Sequence, residues 1–492
     1  MRRSGILLHI TSLPSPYGVG TLGKAAFEFA DFLSAARQSV WQVLPTGPTG
    51  YCDSPYQSFS TFAGNPYLID PDLLYEDGLL TREEILAASC EGDVCSVAFG
   101  ALFLRREALL RLACARGNAR DEAAVSAFVE ENADWLPDYA LYMAVKEHFD
   151  QRPFTEWEDD GIRLRSPEAM ARYREELSGA VRFHIYAQYL FSRQWEALRS
   201  YCNARGISLL GDIPIYVALD SSDVWANPSL FQLDGDCRPT HVAGVPPDYF
   251  SATGQLWGNP LYDWDRMKED GYAWWMRRIE SAVRRFDMLR IDHFRGFADY
   301  WRVPYGEDTA VTGEWREGPG RAFIDALKAR FPDYPIIAED LGLLSPAVQD
   351  LLDYSGYPGM KVLQFAFDSL GPGPYQPHTY TPHCVCYTGT HDNNTSVGWF
   401  HEGNPEAVGY AMEYFGLNTQ EGLHWGMLRG GMASAAELFI AQMQDYLGLG
   451  AHARMNTPSR AFCNWIWRLA PGEASEELAK WIARMTAMYE RG

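Results

Sequence analysis

The sequence has no C-x-x-C pair, no basic run, no His-rich spacing and no long apolar stretch, and each absence removes a class of function. Nine cysteines lie scattered at 52, 90, 95, 114, 202, 237, 384, 386 and 463. An odd number without paired spacing argues against a zinc site or disulfide framework and for reduced thiols in a cytoplasm. Lys and Arg number 42 against 64 Asp and Glu, a net charge of −22. Phosphate backbones and anionic lipids are bound through clustered Lys and Arg, so neither nucleic acid nor membrane is expected as a partner. Met1-Arg2-Arg3-Ser4 opens like a signal peptide, but the apolar stretch 5–10 is too short and Leu13-Pro14-Ser15-Pro16 ends it. Nothing approaches the roughly 20 apolar residues of a membrane span. Internal repeats and low-complexity segments are also missing. A cytoplasmic enzyme acting on a neutral substrate fits these limits.

What is present is length and aromatic surface. A chain of 492 residues exceeds one minimal core, and suits one large catalytic domain with insertions or two to three smaller domains. The 16 Trp and 27 Tyr serve either large cores or platforms for the apolar face of a sugar ring. Short, β-branched apolar runs at 5–10, 40–45, 209–217, 288–294, 335–340, 361–367, 385–390 and 453–457 predict buried strands. Helical patterns at 24–37, 183–204, 272–285, 321–330, 433–447 and 475–490 fall between or after them. Alternation of about eight strands with helices predicts an α/β fold, a (β/α)₈ TIM barrel, with an open doubly wound sheet as the alternative. The barrel is preferred because acids and histidine stand at the C-terminal ends of separate strands. A ninth strand candidate, 300–304, is taken as an extension after the fourth strand. Residues 67–179, rich in Ala, Leu, Glu and Arg, predict an inserted, largely helical subdomain within a single catalytic domain spanning 1–492. Residues 218–265, rich in Gly, Pro, Asp and Trp, are too long for an ordinary connection and predict an active-site loop region.

Three strand ends carry candidate chemistry. In Met288-Leu289-Arg290-Ile291-Asp292, Arg290 and Asp292 are two apart and point to one side of a strand, where the guanidinium can hold the carboxylate ionised. Ile336-Ile337-Ala338-Glu339-Asp340 supplies a second acid, with Asp340 beside it as the next candidate. Thr388-Gly389-Thr390-His391-Asp392 supplies a third, beside an imidazole. Cleavage of a glycosidic bond needs two carboxyls, one to attack and one to protonate the leaving oxygen. Singly, each pair is as compatible with a structural ion pair or a solvated turn, and His391-Asp392 also with metal ligation. An early strand rich in His would support a metal; this one offers only His9. No metal or other cofactor is expected.

The motifs then become specific: His9-Ile10-Thr11-Ser12-Leu13-Pro14-Ser15-Pro16-Tyr17-Gly18-Val19-Gly20, Ser54-Pro55-Tyr56-Gln57-Ser58-Phe59-Ser60, Gly211-Asp212-Ile213-Pro214-Ile215-Tyr216-Val217, and the run from Gly244 through Gln255-Leu256-Trp257-Gly258-Asn259-Pro260. In register with the three strand ends, they make the chain resemble glycoside hydrolase family 77, the 4-α-glucanotransferases (amylomaltases, disproportionating enzymes) of the α-amylase clan. The resemblance implies a barrel without a separate C-terminal β-domain. It also implies transfer of an α-1,4-glucan segment to the 4-hydroxyl of an acceptor, with maltooligosaccharides as donor and acceptor. On that basis Asp292 resembles the nucleophile, Glu339 the general acid/base and Asp392 the transition-state stabiliser. Tyr56, Asp212, Arg290, His391, Gln255, Trp257 and Asp368 resemble substrate-binding positions. The aromatic loop 245–260 is the candidate for a lid that would exclude water during transfer. An ordinary glucan hydrolase and a non-catalytic glucan-binding protein are the rival readings. One departure is visible: where relatives usually carry Asn-x-Pro-Gly-Thr, this chain has Asn456-Thr457-Pro458-Ser459-Arg460. It bears on the local loop shape and on Asn464 as a substrate contact.

Overall fold

The computed structural model describes residues 2–90, 92–247, 251–342, 344–368, 371–458, 460 and 462–492. Its twelve strands are β1 (Arg3–Leu7), β2 (Val40–Gln42), β3 (Ser208–Pro214), β4 (His241–Val245), β5 (Gln255–Pro260), β6 (Met288–Asp292), β7 (Asp299–Pro304), β8 (Glu314–Glu317), β9 (Ile336–Ala338), β10 (Gly359–Val362), β11 (Cys384–Tyr387) and β12 (Leu438–Gln442). Eight of them form one parallel sheet in the order β10-β11-β12-β1-β2-β3-β6-β9. Helices Lys24–Ala35, Ser178–Asn203, Ala273–Arg285, Gly320–Arg330, Pro346–Ser355, Leu423–Ala433 and Glu476–Met488 alternate with these strands or follow them. This is a (β/α)₈ barrel. Ile6, Trp41, Leu210, Leu289, Ile337, Met360 and Phe439 are buried, as strands covered on both faces require.

The sheet curls until its two edge strands meet, and the seam is closed unusually. The Ala338 amide donates to the Pro358 carbonyl at 3.0 Å, and the Met360 amide donates to Oδ1 of Asp340 at 2.6 Å. A carboxylate thus stands in for a ladder carbonyl between β9 and β10. Its approach needs glycine at 359, where a Cβ would lie 2.5 Å from the Asp340 carboxylate.

Two expectations are corrected at the eighth strand. Residues 453–457 form no strand; Ala451–Ala453 is a short 3₁₀ turn. The strand is β12, inside the stretch 433–447 expected to be helical. Leu438-Phe439-Ile440-Ala441-Gln442 is buried at every position, so its apolar run lacks the polar face that separates a strand from a buried helix by periodicity. The ninth candidate, 300–304, lies in β7, which follows the fourth barrel strand and joins a separate antiparallel sheet in the order β5-β4-β7-β8. Residues 218–265 hold β4 and β5 of that sheet, so the expected lid is in part a strand pair. Between 67 and 179 the described elements are helices, including Phe99–Arg120 and Leu136–His148. Among the described residues no helix is long and apolar enough to cross a membrane.

Candidate active site

Register explains the first contact. Asp212 on β3 lies directly beside Arg290 on β6, and parallel neighbours present their side chains to the same face. Arg290 donates from Nη1 to Oδ2 of Asp212 at 2.7 Å and lies 2.8 Å through Nη2 from Oδ1 of Asp292. One guanidinium therefore bridges two carboxylates, which its planar fork allows. The Asp212 and Arg290 side chains are buried, whereas Asp292 keeps 26% of its side-chain surface. Asp212 also accepts from the Tyr56 hydroxyl at 2.7 Å. All of this falls on Oδ2; the buried Oδ1 has no hydrogen-bond partner among the described residues.

Glu339 follows β9 and is held from the β6 side. His293, immediately after β6, has φ 55° and ψ 48°, a left-handed conformation disfavoured by about 1–2 kcal/mol for a residue with a Cβ. That turn directs its amide to Oε2 of Glu339 at 2.7 Å, while the Leu341 amide reaches Oε1 at 2.8 Å. Burial, the Asp292 charge next to it, and weaker opposition from Arg290 and these two amides leave the Glu339 carboxyl pushed up to about 7. Asp292 is pushed up to about 6 by burial, against the pull of Arg290. Strained backbone and displaced acidities concentrate where chemistry is done.

Asp392 behaves in the opposite way. Burial works against its charge, but His391, Asn456 and Arg290 overcome it and hold the carboxyl well below the usual range. Oδ2 lies 3.3 Å from Nε2 of His391, and Oδ1 accepts from Asn456 at 2.6 Å. The His391 ring stacks on Tyr56 at 5.0 Å between centroids with 19° between planes. Trp465 completes this cluster, 5.7 Å from Tyr56 and 5.8 Å from His391. The structure thus brings together seven sequence-predicted residues: Asp292, Glu339, Asp392, Tyr56, Asp212, Arg290 and His391.

Trp257 joins them through His293, whose ring it meets edge-on at 4.8 Å. Its indole N–H donates to Oε1 of Gln255 at 3.1 Å, so Gln255 orients Trp257. Asp368 is exposed beyond the turn that follows β10. Tyr249 and Phe250 of the aromatic run, and Ser459 of the C-terminal departure, lie outside the described residues. Asn464 is committed to its own loop: Oδ1 accepts from the Thr457 amide at 2.9 Å and Nδ2 donates to the Arg460 carbonyl at 2.7 Å. Asn456, Arg454, Trp465 and His293 take part in the site without having been assigned roles from sequence. Asn456 stood out in the sequence as the first residue of the Asn-x-Pro segment, but nothing local tied it to Asp392, and the left-handed turn at His293 has no glycine to announce it. Among the described residues no group of three or more His, Cys, Asp or Glu could hold a metal ion.

Such a set can attack, protonate and stabilise at one carbon: a carboxylate on a buried Arg, a carboxyl of raised pKa, and a third carboxylate kept ionised. A sequence profile described as 4-alpha-glucanotransferase, glycoside hydrolase family 77, matches residues 8–474. The 4-alpha-glucanotransferase of Clostridium butyricum is 46% identical over 98% of this chain and 100% of its own. That of Thermus thermophilus is 46% identical over 99% of this chain and 98% of its own. Among solved structures, an amylomaltase from Streptococcus agalactiae in complex with acarbose superposes with a TM-score of 0.98 at 42% identity, each chain covered completely. Barrel, carboxylates and full-length similarity together make this chain a member of glycoside hydrolase family 77, the 4-alpha-glucanotransferases.

Proposed function

We propose that Asp292, Glu339 and Asp392 carry out the glucan transfer of this family by double displacement. The Asp292 carboxylate attacks C1 of the donor sugar as the C1–O4 bond breaks, and Glu339 gives its proton to the departing oxygen. This leaves the donor segment as an ester on Asp292 and Glu339 ionised. The 4-hydroxyl of an acceptor glucan then loses its proton to Glu339 and attacks C1, expelling the Asp292 carboxylate. Both acids end as they began. Asp392, ionised throughout, faces the positive charge that develops on the sugar in each half.

The observation that carries this reading is the division among three acids in one site. Arg290 pairs with Asp292 and not with Glu339, so Asp292 gives up its proton first and Glu339 retains one. Tyr56, half-buried in this cluster, offers its remaining ring surface to the apolar face of a sugar in the cleaved position, and Asp212 holds the Tyr56 hydroxyl. Gln255, Trp257 and Asp368 are proposed as contacts to flanking sugars, with maltooligosaccharides and longer α-1,4-glucans as donors and acceptors. Nine unpaired thiols suit a reducing compartment such as the cytoplasm.

Water competes with the acceptor at roughly 55 M, so transfer requires an oriented hydroxyl; aligned reactants reach effective molarities of about 10⁵–10⁸ M. Incubation with maltotriose tests the reading. Glucose together with longer oligosaccharides is expected. Products no longer than maltotriose would mean a hydrolase, and no turnover a binding protein.

A further inference from the structure

We propose that Asn456 is a positioning residue for catalysis, its side-chain amide fixing the orientation of the Asp392 carboxylate without neutralising it. The proposal rests on the reading of Asp392 as the group that faces the developing positive charge. A carboxylate turns readily about its last torsion, where the preferences are broad and two-fold. The Asp392 side chain keeps 45% of its surface, so packing alone does not fix it. His391 is a long contact, 3.3 Å, and its other ring nitrogen lies 3.4 Å from the Tyr56 hydroxyl. The short bond is the one from Asn456, at 2.6 Å. An ionised carboxylate can only accept, so the amide must present its NH₂ group there.

The contact is built from both chains of backbone. Asn456 lies 64 residues from Asp392 in sequence, beyond β12 and the turn Ala451–Ala453. Its own amide N–H donates to the His391 carbonyl at 3.1 Å. Arg454 donates from Nε to the Asn456 carbonyl at 2.7 Å and from Nη2 to the Asp392 carbonyl. Segments 391–392 and 454–456 are thus fastened by one main-chain bond and by the Arg454 side chain, and Asn456 extends the fastening to the carboxylate itself. Among the described residues the hydrogen bonds of Arg454 go to main-chain carbonyls, so it acts on the Asp392 carboxylate through the field and not by direct pairing. A cationic donor at 456 would cancel the charge that must face the sugar; a neutral amide orients it and leaves it in place.

The test uses the whole enzyme with Asn456→Ala and the nearly isosteric Asn456→Asp, which exchanges the donor for a second acceptor. Loss of a hydrogen bond to a charged group predicts kcat lowered about tenfold to a hundredfold on both maltotriose and α-glucosyl fluoride. KM should stay within about twofold, the pattern of an interaction made in the transition state. Affinity for the cationic sugar mimic 1-deoxynojirimycin should fall in step with kcat, while affinity for maltose holds. A residue that only supports its loop would lower maltose binding and KM performance as much as kcat, and that result overturns the proposal. Unchanged kcat and unchanged mimic affinity in both variants overturn it equally. Asp392→Asn is measured alongside. If it keeps full rate, the reading of Asp392 itself fails; if it is inactive while both Asn456 variants are normal, only the positioning role fails.

Discussion

Arg290 lies against Asp292 and acts on Glu339 only through the field, and this asymmetry has a consequence in pH. In the proposed mechanism attack needs Asp292 ionised, so activity is expected to fall as pH drops through its raised pKa of about 6. Departure needs Glu339 protonated, so activity falls as pH rises through about 7. A narrow bell for kcat/KM, centred between these values, is expected with maltotriose; because the two titrations interact, the limbs belong to the pair. Asp292→Asn keeps shape and removes the attacking charge; kcat is expected to drop by about three orders of magnitude or more, with maltotriose binding retained by calorimetry. Near-normal turnover would remove Asp292 from its role. The three acids and His391 were legible as candidates because they stand at or just beyond the ends of short apolar runs, where barrels place chemistry, and Arg290 because it lies two residues before Asp292 on the same face. Asn456 and Trp465 were not, because their relation to Asp392 and Tyr56 exists only once distant segments are folded together.

Two elements make predictions of their own. The strand pair β4–β5 sets Trp257 against His293, next to the proposed nucleophile. Trp257→Ala removes a half-buried ring but touches no carboxylate, so the ester on Asp292 still forms. Its fate should change: from maltotriose, less disproportionation and a larger share of glucose from hydrolysis. A lower rate at a fixed transfer-to-hydrolysis ratio would make Trp257 an anchor only. At the barrel seam, Asp340→Ala leaves the Met360 amide buried without its acceptor, a loss of about 1–3 kcal/mol, read as an earlier urea midpoint. Asp340→Asn retains an acceptor and should stay near wild type in both stability and rate. A collapse of activity in Asp340→Asn would return the acid role to Asp340. Seven of the eight barrel strands were readable from runs bounded by polar residues. The eighth, β12, was not, since burial on both faces erases the alternation that distinguishes strand from helix. Of the second sheet only β7 was marked, at 300–304; β8 is exposed at every position, so no buried face in its pattern marks it as a strand.

At the scale of the molecule, the barrel gathers residues from six separated stretches, Tyr56, Asp212, Arg290 to His293, Glu339, His391 to Asp392, and Arg454 to Trp465, onto one end of one sheet. The chain carries a net charge of −22, and within the site one buried guanidinium is shared between two of the carboxylates. The central claim is that the donor sugar is carried as an ester on Asp292, and it can be examined directly. Glu339→Gln cannot protonate a sugar leaving group or activate an acceptor, but fluoride leaves without a proton, so α-maltotriosyl fluoride should load this variant and leave it trapped. Rapid acid quench, proteolysis and mass spectrometry should then find the glycan on the peptide carrying Asp292, and no label in Asp292→Asn. A label on any other carboxylate, or a Glu339→Gln variant that turns over the fluoride with no covalent adduct at any time point, would contradict the account.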